Sequence, residues 1–68
     1  MKGDLVLRNR IKEIREKKYL SQKELGEILG MTRSDIAQIE NGEIIPDAKL
    51  ALVISIALNK NFEEVFYF

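Results

Sequence analysis

The strongest constraint on this chain is a pair of matched helix starts with a helix-ending glycine just before the second. Ser21-Gln22-Lys23-Glu24 and Thr32-Arg33-Ser34-Asp35 each place a hydroxyl three residues ahead of a carboxylate. The hydroxyl accepts from the N3 amide and the carboxylate reaches back to the cap amide, so two donors that no helix can satisfy internally are satisfied together. In the second copy Asp replaces the preferred Glu. Helices are therefore predicted to begin just after Ser21 and just after Thr32. Gly30 ends the first, because glycine reaches positive φ without strain. Only Gly30-Met31-Thr32 is left to join them. Leu25, Ile28 and Leu29 form the inner face of the first helix, and Ile36, Ile39 and Glu40 share a face of the second. Asn41-Gly42 is a strong stop.

The rest of the chain reads as three further helices. Leu7, Ile11 and Ile14 recur at spacings of four and three, giving a stripe on a helix from about Arg8 to Lys18. Glu43-Ile44-Ile45-Pro46 is a loop, with Ile45 held toward extended geometry by the proline that follows. Asp47 caps a helix that runs to about Leu58, and Asn61, with Glu64 three residues on, opens a short last one. The predicted helices are thus about 8–18, 22–29, 33–41, 48–58 and 62–66, in a single domain spanning 1–68. No strand-forming alternation is evident beyond Leu5-Val6-Leu7, and the connections are short, as a compact helical bundle requires.

Composition removes several function classes. With 68 residues the core is marginal. The chain has no cysteine and no histidine, so disulfides, thiolate metal sites and imidazole ligands are all absent. Without those residues, and without a glycine-rich phosphate loop, nothing resembles a catalytic constellation; no enzyme activity, cofactor, metal or small-molecule ligand is expected. No apolar run approaches the roughly 20 residues that span a bilayer, and the opening residues lack the apolar stretch of a secretory signal. A cytoplasmic protein with no membrane contact is expected.

Charge is the feature least suited to a nucleic-acid binder, because 11 basic residues balance 11 acidic ones. Their distribution is uneven. Residues 1–20 hold seven basic side chains (Lys2, Arg8, Arg10, Lys12, Arg15, Lys17 and Lys18) against Asp4, Glu13 and Glu16. The remainder holds four basic against eight acidic. A phosphate-facing surface can therefore draw on the first helix.

Two short helices joined by a glycine-containing turn fit a helix-turn-helix, whose second helix lies in a DNA major groove. Residues 8–66 resemble the lambda-repressor-like, Xre/Cro-type family of that motif. The likeness is carried by Asn9 to Glu16, by Leu20-Ser21-Gln22-Lys23-Glu24-Leu25, by Leu29 to Ser34, by Ile36, by Ile39-Glu40-Asn41-Gly42, by Pro46 and by Phe62 to Phe66. It implies an all-α, five-helix domain with the helix-turn-helix at helices 2 and 3. It also implies a bacterial or phage-type transcriptional regulator of double-stranded DNA.

The resemblance assigns individual roles. Arg33, Ser34 and Gln38 stand where the family reads base edges, with Arg33 suited to guanine and Gln38 to adenine. Gln22, Asn41 and Arg10 stand at backbone-phosphate positions. Arg15 and Glu40 occupy positions that the family joins in a partly buried salt bridge. Each reading has a plainer rival: Arg33, Ser34 and Gln38 as ordinary solvated residues, Gln22 as the residue behind a cap. Asp35 either caps, accepts from a cytosine amine, or opposes phosphate.

Departures from the pattern matter as well. Glu43 and Ile44 follow Asn41-Gly42 where a basic residue is common, and Gly26 stands where alanine is usual, weakening the second helix by up to about 1 kcal/mol. On the fourth helix Leu50, Ala51, Ile54, Ala57 and Leu58 face the core, while Leu52 and Ile56 fall on the far side. Val53 and Ile56 replace common lysines. A helix apolar nearly all round is buried nearly all round. Leu52, Val53 and Ile56, with the terminal Phe66, Tyr67 and Phe68, are accordingly expected to form a homodimer interface, for which the rival is a tail folded back on its own core. The expected mechanism is a dimeric repressor that occludes a promoter at a pseudo-palindromic operator. The alternative is a protein-interaction module such as an antitoxin, with secondary DNA binding.

Overall fold

The computed structural model describes residues 6–68; Leu5, Lys2 and Asp4 of the sequence reading lie outside them. Five helices follow in order: α1 (Ile11–Lys17), α2 (Gln22–Leu29), α3 (Arg33–Glu40), α4 (Ala48–Ala57) and α5 (Phe62–Val65). They enclose a core of Ile11, Leu25, Ile36, Ile39, Ala51, Ile54, Leu58, Val65 and Phe66. Every helix contributes to it, so none of these short elements is stable alone; packing holds them.

The ends of the helices follow from local chemistry. Ser21 Oγ accepts from Glu24 N at 2.9 Å and Glu24 Oε1 accepts from Ser21 N at 2.8 Å. Asp47 Oδ1 accepts from Leu50 N at 2.8 Å, and Glu64 Oε1 from Asn61 N at 2.8 Å. Gly30 closes α2 at φ 70°. The C-caps of α1 and α4, Lys18 and Leu58, are followed by Tyr19 and Asn59, both with left-handed backbone, at φ 58° and 57°.

The largest departure from the predicted layout is a two-stranded antiparallel ribbon. β1 (Arg8–Asn9) pairs with β2 (Phe66–Tyr67), Arg8 opposite Tyr67 and Asn9 opposite Phe66. This delays α1, predicted from about Arg8, until Ile11. Asn9 supplies the start that Arg10 does not: its Oδ1 accepts from Ile11 N at 3.1 Å, and its Nδ2 donates to Ile39 O at 3.0 Å. Arg10 N donates to Val65 O at 2.7 Å, which ties the two ends of the chain together beside the ribbon.

The ribbon corrects one expected interface residue. Phe66 is only 2% exposed and belongs to the core of its own chain, its ring stacked on Phe62 with centroids 5.2 Å apart. Strand alternation turns Phe66 inward and Tyr67 outward. Ile28 is a second correction: it is exposed, not part of the inner face of α2. The buried arc of that helix runs through Leu25 and Gly26, because α3 approaches on the Gly26 side.

Truncating Phe66 therefore acts on stability. Phe66→Ala is expected to cost about 3–5 kcal/mol, a large share of what a small domain has. Urea denaturation followed by circular dichroism checks this. A near-neutral midpoint would show that the ring is not part of the core.

Candidate nucleic-acid interface

The site is built around a buried ion pair. Arg15 and Glu40 have side chains 8% and 3% exposed. Arg15 Nε donates to Glu40 Oε2 at 2.7 Å and Nη2 to Glu40 Oε1 at 3.2 Å, a two-point contact between α1 and α3. Arg15 Nη1 donates to the Leu20 carbonyl at 2.9 Å, which fixes the chain just before α2. Gln22 Nε2 completes the set with a bond to Glu40 Oε1 at 3.0 Å. Three helices thus meet at one carboxylate, and no buried side-chain polar atom among the described residues lacks a partner.

The turn between α2 and α3 is fixed by a close backbone approach. Met31 N donates to Gly26 O at 2.7 Å. A Cβ built at Gly26 would lie 2.6 Å from the Met31 carbonyl oxygen and 3.3 Å from Thr32. Glycine here is more than a weak helix former. It is what lets the start of α3 lie against the middle of α2.

With that joint set, the first turn of α3 projects outward. Arg33 and Ser34 are exposed, and Gln38, one turn further, is half-buried. Asp35 faces back: its Oδ2 accepts from Thr32 N at 3.1 Å while its own N–H donates to Thr32 Oγ1 at 3.0 Å. Of its three possible roles, the structure shows the cap. The carboxylate also lies at the positive end of the helix dipole.

Arg33 shares an open depression with Arg15, Ser21, Gln22 and Lys23. Three basic side chains, a hydroxyl and an amide line it, Arg15 from α1 and the others from the N-terminal ends of α2 and α3. Gln22 was singled out as a phosphate contact, and the structure shows it also bound to Glu40. Its amide nitrogen carries two hydrogens, so one remains to donate outward.

The other singled-out residues lie elsewhere. Asn41, exposed at the end of α3, borders a separate groove with Arg8, Asn9 and Tyr67. The guanidinium of Arg10 sits over the Tyr67 ring, 4.0 Å from its centroid. Sequence reasoning missed Asn9, which joins α1 to the α3 C-terminus, although an asparagine two residues ahead of a helix is a recognisable local cap.

A helix-turn-helix family model matches residues 11–65. The chain is a member of the helix-turn-helix family, of the lambda-repressor-like, Xre type. This is a family of DNA-binding transcriptional regulators. The chain is 41% identical over 61 residues to the uncharacterised HTH-type transcriptional regulator YgzD of Bacillus subtilis, covering 90% of this chain and 92% of that protein. An uncharacterised HTH-type transcriptional regulator of Archaeoglobus fulgidus is 39% identical over 62 residues, 91% of this chain and 87% of the relative. The ImmF control region 10 kDa protein of Bacillus phage phi105 is 41% identical over 49 residues, 72% of this chain and 54% of that protein. In fold, the chain matches the crystal structure of a candidate DNA-binding protein from Bacteroides fragilis. The TM-score is 0.81 at 20% identity, covering 90% of this chain and 98% of that one. No helix among the described residues is long and apolar enough to cross a membrane.

The ion pair sets a measurable asymmetry. Arg15→Met or Glu40→Met alone strands its partner's buried charge and should cost about 3–5 kcal/mol, whereas the two combined should cost less than the sum. Denaturation of the two single variants and the double variant reads this coupling, and strictly additive losses would rule out the shared network.

Proposed function

We propose that this protein is a sequence-specific, double-stranded DNA-binding transcriptional repressor that works in the cytoplasm as a homodimer and occludes a promoter. One observation carries the reading: the exposed first turn of α3, with Arg33 and Ser34 outermost, stands on a buried joint that holds it at a fixed angle. An α-helix fits the major groove, and each base pair presents a distinct pattern there. In this reading Arg33 donates two guanidinium hydrogens to the O6 and N7 of a guanine, Gln38 pairs with an adenine, and Ser34 contacts an adjoining base edge. Gln22 donates its free amide hydrogen to a phosphate, while Asn41 and Arg10 extend the backbone contacts.

Zero net charge makes the contact set small. Each neutralised phosphate adds about 0.9 to the salt slope, so a single domain binds modestly and with a shallow salt dependence. A two-fold dimer doubles the contacts and sets two recognition helices about 34 Å apart, matching half-sites one turn apart. Leu52, Val53 and Ile56 support it: they form an exposed apolar stripe on α4, Ile56 being 68% exposed. Phe68 and Tyr67 add exposed aromatic surface at the chain end. Apolar patches of this kind usually mark an interface. The same stripe also suits an antitoxin that binds a partner protein, with DNA binding secondary.

Selection of bound sequences from random duplexes is the direct test. A pseudo-palindrome is expected from the wild type, with discrimination at one position relaxed in Arg33→Ala by about 1–3 kcal/mol. Equal, weak binding to every duplex sinks the repressor reading in favour of the interaction module. For the dimer, sedimentation should show that Ile56→Lys dissociates what the wild type holds together; a monomeric wild type at tens of micromolar defeats it.

A further inference from the structure

Among the described residues, two exposed features of opposite charge have no partner in the chain itself. The first is a depression lined by Ile14, Lys17, Lys18 and Lys60, which brings the end of α1 beside the turn after α4. All three lysines are exposed, and the one ion pair among the described residues is Arg15–Glu40, so none of the three is paired. The helix dipoles account for part of this charge: each helix C-terminus carries about half a negative unit, so two ends offset roughly one lysine of the three. Glu64 borders an adjoining depression with Lys60, but its carboxylate is taken up in capping α5. The floor is apolar, since Ile14 is half-buried and packs against the core.

The second feature is the loop between α3 and α4. Glu43, Ile44 and Ile45 are exposed in succession, the two isoleucines by 39% and 50%. The loop is held at both ends: Glu43 N and Ile44 N donate to the Gln38 carbonyl at 2.8 and 3.2 Å, Pro46 is buried, and Asp47 caps α4. An aliphatic pair flanked by two carboxylates is thus presented outward, with little freedom left to lose on contact.

We propose that these two surfaces meet between copies of this chain: the loop at 43–47 of one copy docks in the lysine depression of another, with Ile44 against Ile14 and Glu43 among Lys17, Lys18 and Lys60. Each surface surrounds an apolar centre with charge of one sign, so each is complementary to the other. A phosphate backbone fits the depression less well, because it has nothing to set against the apolar floor. Ile45 borders a groove with Asn41 and Tyr67 that shares no residue with the lysine depression, so one copy does not close the contact on itself. The contact uses none of Leu52, Val53 and Ile56, and therefore adds a second association to the dimer proposed above. Within the DNA-binding reading, copies brought side by side on a duplex bind cooperatively through it, because neighbours on one strand are concentrated relative to each other.

The test follows self-association without DNA, in the wild type and in Ile56→Gln, which disturbs the α4 stripe without adding charge. A patch this small gives a weak contact, with a dissociation constant on the order of 0.1–1 mM. Dilution across that range should shift the amide resonances of Lys17, Lys18, Lys60, Glu43 and Ile44 in both proteins. Raising salt from about 0.05 to about 0.5 M should weaken the association severalfold. Lys60→Glu and Glu43→Lys should each weaken it about fivefold to tenfold while keeping the wild-type Tm, since both side chains are exposed. An equimolar mixture of the two variants should restore pairwise association, because the intact loop of one then meets the intact depression of the other. A mixture that stays dissociated, or resonances at these residues that ignore concentration, overturns the contact. So does a Lys60→Glu variant that loses duplex affinity while its self-association is unchanged, which makes the depression a phosphate site. A wild type that self-associates in this way but binds no duplex at low salt upholds the contact and removes only the DNA-binding reading.

Discussion

The Glu40 carboxylate is the point on which the fold turns. It takes two hydrogens from Arg15 and one from Gln22, and in doing so connects the last turn of α3 to α1 and to the first turn of α2. A buried charge is tolerable only when its lone pairs are filled, so this carboxylate admits few alternative arrangements of the three helices. The apolar core supplies the driving force for folding, but side chains such as Ile36 and Ile39 tolerate rotation about a helix axis better than a bidentate ion pair does. The pair thus contributes more to angle and register than to net stability, in keeping with the modest net worth of buried ion pairs.

A second tie acts at the opposite end of α3. Asn9 holds the Ile39 carbonyl, and the ribbon that contains Asn9 is closed by Phe66. Residues from both ends of the described chain therefore stabilise the C-terminal turn of the helix whose N-terminal turn is offered to solvent. The Arg10 guanidinium over Tyr67 adds to that closure, worth about 0.5–1 kcal/mol at an exposed site.

Much of this was legible in the amino-acid sequence where the chemistry is local. Ser21 with Glu24 and Thr32 with Asp35 are complete within four residues, so the starts of α2 and α3 needed no tertiary knowledge. The ribbon was invisible because each strand is two residues long and its partner lies at the far end of the chain. Phe66 was misassigned for the same reason: in Phe66-Tyr67-Phe68 nothing local says which ring turns inward. Ile28 was misplaced because apolar periodicity locates a stripe but not the neighbour, and here the neighbour sits over Gly26. The Arg15–Glu40 pair was reached only through family resemblance, and the bond from Gln22 to Glu40 carried no signal of its own. Tyr19 was passed over because an aromatic residue after a helix gives no warning of a left-handed backbone.

Gly26 has a bearing on how such a chain can change. The close approach of α2 and α3 at Gly26 is made by backbone atoms, and the outward residues Arg33, Ser34 and Gln38 have no part in it. Mounting and lettering are therefore separate: the outward side chains of α3 can be exchanged without retuning the hinge that aims them. A lineage built on this joint is free to vary its outward face through one or two surface codons, while any side chain at position 26 must first push the Met31 carbonyl aside.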